Sequence, residues 1–120
     1  MNRETVRVDL GARSYDIVIG ADVLQEAGKR IAPLLRRPKV AIVTESRVAG
    51  LHLDALQTAL AAEGIASNVL QLTPGEATKG WAGLEQAVEW LIAERVERDD
   101  IVIAFGGGVI GDLAGFAAAI

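Results

Sequence analysis

Residues 105–115 read F-G-G-G-V-I-G-D-L-A-G and carry the pattern with the most definite chemical use in this sequence. Gly106, Gly108 and Gly111 satisfy G-x-G-x-x-G, directly after the apolar run Ile101–Phe105 and at the start of a helical pattern. Where side chains are missing, backbone N–H groups can approach an anion closely. A helix N-terminus adds favourable partial charge for a phosphate. The plainer alternative is a tight turn where helix and sheet pack closely. In the usual dinucleotide arrangement the glycine loop follows the first strand, and an acid about 20 residues later holds the ribose. Here the loop follows the last strand of the sequence, so another loop would have to hold a ribose.

Three further groups could serve such a site. Asp112 is placed in the first turn of the last helix. It can stabilise the helix dipole, or accept from a hydroxyl and hold water near the reactive end of a ligand. Glu76 and Lys79 follow the Pro74-Gly75 turn. A carboxylate can take both hydroxyls of a ribose, and a lysine can meet phosphate oxygens. They can equally be a solvated helix start with a weak ion pair. Glu45 closes the apolar run Lys39–Thr44, where an acid suits a ribose diol or is a simple surface charge. His52 is given no role, and Trp81 and Trp90 are assigned to packing.

These residues need a scaffold, and the sequence outlines one. Val6, Val8 and Leu10 alternate with polar neighbours, as do Tyr15, Ile17 and Ile19, across a Gly11-containing loop. That is an antiparallel hairpin. Asp22 can cap a helix that ends near Ala32, ahead of Pro33. Residues 39–44 and 101–105 are short apolar runs, read as strands buried on both faces, and residues 65–72 are read as a further strand. Helices are expected over about 51–63, closed by Gly64, over about 81–95, and after the glycine loop. The core faces are Leu53, Leu56, Ala59 and Leu60, then Leu84, Val88, Leu91 and Ile92. Strands alternating with helices imply parallel pairing and right-handed crossovers. The fold class is therefore α/β: a Rossmann-like parallel sheet with flanking helices and an N-terminal β-hairpin. The loops after the three strands then share one sheet edge, where such folds bind ligands.

Composition narrows the field. With 120 residues, 51% hydrophobic and 23% charged, the chain can fill one ordinary core. A net charge of −4 and no basic run beyond Arg36-Arg37 argue against a nucleic-acid partner. There is no cysteine and only one histidine, which excludes disulfides and thiolate or histidine-rich metal sites. The polar N-terminus is unlike a signal peptide, and no apolar run reaches membrane length. A cytoplasmic location with no membrane partner is expected.

Three motifs then line up in order: V-A-I-V-T-E-S (40–46), P-G-E-A-T-K-G (74–80) and F-G-G-G-V-I-G-D-L-A-G-F-A-A-A (105–119). With the opening L-G-A-R-S-Y-D-I-V-I-G (10–20), they resemble the 3-dehydroquinate synthase family over the whole length. The resemblance implies conversion of the keto-acid sugar phosphate DAHP to 3-dehydroquinate and phosphate, in the shikimate pathway. It implies NAD⁺, used and regenerated within each turnover, and a divalent metal, zinc or cobalt. By position, Gly107, Gly108 and Val109 match the pyrophosphate turn, with Ile110 and Gly111 in the same cofactor-binding stretch. Asp112 matches an aspartate that contacts the cofactor. Gly75, Glu76, Ala77, Thr78 and Lys79 match the loop that holds the nucleotide, and Glu45 the acid on the adenosine ribose. Where the family often reads T-D-x-N, this sequence has Thr44-Glu45-Ser46-Arg47. Arg47 could there favour an extra phosphate.

The resemblance places the metal ligands and most substrate-binding residues in a C-terminal helical domain beyond residue 120. The sequence is thus expected to be the first, incomplete domain of a two-domain enzyme. It should be inactive alone, with the full enzyme a homodimer. Strand 101–105 should present an open edge. Leu113, Phe116 and Ile120 should lack packing partners, so that the chain self-associates or is marginally stable. Competing readings are a related sugar phosphate cyclase, a polyol dehydrogenase of the glycerol dehydrogenase type, or a non-catalytic nucleotide-binding module. The polyol dehydrogenases usually read G-G-G-S where this sequence has Val109.

Overall fold

The computed structural model describes residues 4–73 and 80–119. Strands β1 (Glu4–Val8) and β2 (Tyr15–Ile19) form the expected antiparallel hairpin, with Val6 opposite Ile17 and Arg7 opposite Asp16. Gly11 takes φ +67° in its loop, a value glycine adopts without strain. Val6, Tyr15, Ile17 and Ile19 are all exposed, so the hairpin stands apart from both hydrophobic cores.

The main sheet has three parallel strands in the order β4-β3-β5. They are β3 (Lys39–Glu45), β4 (Ala66–Leu72) and β5 (Ile101–Phe105). Val40, Ala41, Ile42 and Val43 of the central strand are all buried, which is why that run is apolar without alternation. Ala41 and Val43 face helices α4 (Trp81–Ala93) and α5 (Gly108–Ala119). Val40 and Ile42 face the other layer, with Leu53, Leu56 and Leu60. That layer holds α1 (Ala27–Ile31) and a long helical run. The run comprises α2 (Ser46–Val48), a π-helical stretch (Ala49–Leu53) and α3 (Asp54–Ala61). Gly64, at φ +73°, closes α3 as expected, and the Ile65 amide returns to the Leu60 carbonyl.

Several expectations need correction. The helical run begins at Ser46 rather than near Leu51, because Glu45 caps it. Asp22 makes no side-chain cap; a 3₁₀ turn (Val23–Glu26) follows it, and a second (Ala32–Leu34) accommodates Pro33. Trp81 and Ile92 were assigned to packing but are 78% and 72% exposed. They lie on the outer side of α4, whereas Leu84, Ala87 and Leu91 turn inward. Leu113 does not lack partners: it is buried with Ile110, Ala114 and Ala117 against α4 and the sheet. Ile120 and the Phe116 side chain lie outside the described residues. β5 is an edge strand, as expected, and its residues are only partly buried. Among the described residues no helix is long and apolar enough to cross a membrane.

Candidate functional site

The chain order determines where a site can form. From central β3 the chain crosses to β4 through α3, on one face of the sheet. It then returns past β3 to β5 through α4, on the other face. The segments leaving β3 and β5 therefore diverge, α2 towards one layer and α5 towards the other. Adjacent strands with diverging exits leave a crevice at their carboxyl ends, where open α/β sheets bind ligands. In register, Thr44 lies opposite Phe105 and Glu45 opposite Leu72. All three strand exits thus reach the same edge at the same level. Glu45 and the glycine turn flank the crevice directly.

Gly106 and Gly107 make the turn, and α5 begins at Gly108. Its first backbone bond runs from the Gly111 N–H to the Gly107 carbonyl, at 3.1 Å. Helix geometry leaves the N–H groups of Gly108, Val109 and Ile110 without intrahelical acceptors. Ile110 is buried and anchors the turn to the core, while Gly107, Gly108, Val109 and Gly111 are exposed. A Cβ on Gly106 would come within 3.0 Å of Ile110 Cγ1, so that glycine serves internal packing. A Cβ on Gly107, Gly108 or Gly111 would meet nothing within 4 Å, and none of the three has positive φ. Among the described residues nothing requires glycine at those positions. The amide donors and bare Cα atoms suit close approach of an oxyanion such as a pyrophosphate.

Glu45 ends β3 in extended conformation, and its Oε1 accepts from the Val48 N–H at 2.6 Å. The carboxylate is thereby fixed at the crevice with acceptor capacity left over. Asp112 is exposed in the second turn of α5, not the first, which weakens the helix-dipole role assigned to it. Arg47 is exposed on α2 beside Glu45. Gly75, Glu76, Ala77, Thr78 and Lys79 lie outside the described residues. Their flanks are placed: Leu72 pairs with Glu45, and Gly80 precedes α4. Thr44 ends the apolar stretch of β3. It is fully buried, and its Oγ1 donates to the Phe105 carbonyl at 2.6 Å, bridging the two strands that bound the crevice. The signal was a hydroxyl ending an apolar run, since a buried polar group needs a partner.

Residues 69–120, which include the glycine turn, match the family model described as 3-dehydroquinate synthase N-terminal. A 3-dehydroquinate synthase of Jannaschia sp. (strain CCS1) is 68% identical over 98% of this chain and 32% of its own length. That of Ruegeria sp. (strain TM1040) is 65% identical over 98% of the chain and 31% of its own length. The chain is thus similar to 3-dehydroquinate synthases over nearly its whole length. It spans about a third of the length of these curated 3-dehydroquinate synthases. Among solved structures, a 2-deoxy-scyllo-inosose synthase complexed with carbaglucose-6-phosphate, NAD⁺ and Co²⁺ superposes with a TM-score of 0.81. It covers 98% of this chain and 31% of its own, at 22% identity, and shows the shared fold. The 2-epi-5-epi-valiolone synthase of Streptomyces hygroscopicus, with NAD⁺ and Zn²⁺ bound, gives 0.74 at 28% identity, over 94% of this chain and 31% of its own. The α/β architecture with its parallel sheet is shared with these two synthases.

Proposed function

We propose that this chain is the NAD⁺-binding portion of a 3-dehydroquinate synthase, an enzyme converting DAHP to 3-dehydroquinate and phosphate. The observation that carries the cofactor site is the glycine turn. Gly107, Gly108 and Gly111 satisfy no steric need among the described residues, yet stand at the switch point of the sheet and at a helix N-terminus. The activity rests on the similarity to 3-dehydroquinate synthases. The NAD⁺ in the two cyclase structures supports the cofactor.

In this reading Gly107, Gly108 and Val109 hold the pyrophosphate through backbone amides. Ile110 fixes the turn to the core, and Gly111 keeps the helix surface clear. Glu45, held by its cap bond, accepts from the adenosine ribose hydroxyls. Asp112 contacts the cofactor further along α5, and the contact to the nucleotide is assigned to Gly75 through Lys79, which lie outside the described residues. Held there, NAD⁺ would supply reversible hydride transfer with a substrate alcohol. Among the described residues no three His, Cys, Asp or Glu side chains gather into a metal-binding group.

The test is an NAD⁺ titration by calorimetry, on this chain and on Gly108→Asp. Binding that the variant abolishes, with a circular dichroism melt no lower than that of the wild type, is the expected result. A folded wild-type chain without affinity for NAD⁺, or a variant that still binds, would remove the glycine turn from the cofactor site.

A further inference from the structure

We infer that Thr44 is a positioning residue for the glycine turn. Its hydroxyl sets the peptide plane from which the turn departs, and so determines whether the turn's amides converge on one anion. The inference rests on the cofactor reading above, which assigns Thr44 nothing.

Thr44 is the one polar residue among the buried described residues, at 0% exposure. A hydroxyl carries a single proton. Two carbonyls lie within reach, Phe105 at 2.6 Å and Glu45 at 3.5 Å, so the proton goes to Phe105. Phe105 is the last residue of β5, and Gly106 follows it directly. In a planar trans peptide the N–H of Gly106 points opposite to the Phe105 carbonyl, and no described peptide bond is cis. Holding that carbonyl towards β3 therefore aims the Gly106 amide away from β3 and fixes the chain's path into Gly107 and Gly108. Glycine leaves those positions without steric restraint, since a Cβ would touch nothing there. An orienting hydrogen bond upstream supplies what the missing side chains do not. Ile110, buried against the core, holds the turn from its far side.

The experiment compares Thr44→Val, which keeps the shape and removes the proton, with Thr44→Ser, which restores it. Two quantities are read on the intact chain. One is NAD⁺ affinity by calorimetry. The other, needing no ligand, is hydrogen-exchange protection of the Gly111 amide, whose bond to the Gly107 carbonyl reports the turn. Ala114, inside α5, is the control. The valine variant should bind NAD⁺ about tenfold more weakly and lose protection at Gly111 but not at Ala114. That loss is about 1.4 kcal/mol. The serine variant should restore both. Wild-type affinity and protection in the valine variant, or failure of serine to rescue, would overturn the inference. If the wild-type chain does not bind NAD⁺, the cofactor reading falls, and the exchange pattern alone decides Thr44. Local loss in valine with rescue by serine supports it, and no change sinks it. Should Thr44→Val not fold, Thr44→Cys keeps the volume with a weak donor and is read in the same two ways, an intermediate effect being expected.

Discussion

The two ends of the parallel sheet are built on opposite plans. At the amino ends of β3 and β5 the charges close on one another. Arg37 meets Asp100 through Nε at 2.9 Å and through a second guanidinium nitrogen, and Asp100 also accepts from the Glu97 amide at 2.8 Å. Arg36 spans Glu97 at 2.8 Å and Asp99 at 3.1 Å. The Asp100 side chain is 6% exposed. The hydrogen bond from Arg37, helped by the Glu97 amide, holds its carboxyl below the ordinary carboxylate range, and the same pairing raises Arg37. At the carboxyl ends, glycines face outward and the first amides of α5 have no intrahelical acceptor. One end uses its polar groups to join turns about 60 residues apart in the chain. The other keeps donors in reserve. The difference separates residues that maintain the sheet from residues that the sheet presents.

The sharpest way to break this contrast is Gly108→Asp. It should abolish NAD⁺ binding, a loss beyond a hundredfold, while leaving the fold intact, because a Cβ there meets nothing. A carboxylate in the first helical turn should even add up to about 1 kcal/mol of stability. Calorimetry and a thermal melt on one sample check both halves.

Gly28→Val should do the reverse. Gly28 is buried where α1 crosses α3, and a Cβ would run into the Ala59 carbonyl oxygen. Overpacking of this kind costs about 1–3 kcal/mol, which a chemical denaturation midpoint will show. Cofactor affinity under native conditions should hardly change.

Asp100→Asn should weaken the closed end and alter its pH dependence. A carboxyl whose folded pKa is depressed contributes stability fully present above its unfolded value, near 4. That contribution is lost as pH falls from there through the depressed folded value. The wild-type melting temperature should therefore drop more steeply below about pH 4 than that of the variant. Parallel acid limbs would mean that the Arg37 pair is not coupled to folding.

The smallest effect is expected from Asp112→Asn. In the second turn of α5 its dipole contribution should be below about 0.3 kcal/mol, too little to move a melt. A several-fold fall in NAD⁺ affinity without any change in stability would place Asp112 with the open end. No change in either would return it to the solvated surface.

Much of this was legible along the chain. The hairpin, the three strands and the glycine turn follow from alternation, continuous apolar runs and glycine placement, which are local properties. Trp81 and Ile92 were misjudged because periodicity finds an apolar stripe but not how wide a stripe the neighbouring layer covers. The start of α2 was missed because glutamate is not a favoured cap residue. Only its placement at the end of β3 brings its carboxylate to the Val48 amide.

By itself, the sequence determined the alternation of strands and helices, and hence that the exits of three parallel strands share one edge. It also determined the glycine pattern. Tertiary structure alone decided the order β4-β3-β5, because strand order depends on which face each crossover covers. From that order comes the crevice between Glu45 and the glycine turn. The structure also distinguished Gly106, needed for packing, from Gly107, Gly108 and Gly111, which are not. And it revealed Thr44, whose partner lies 61 residues away in sequence and directly opposite in the sheet.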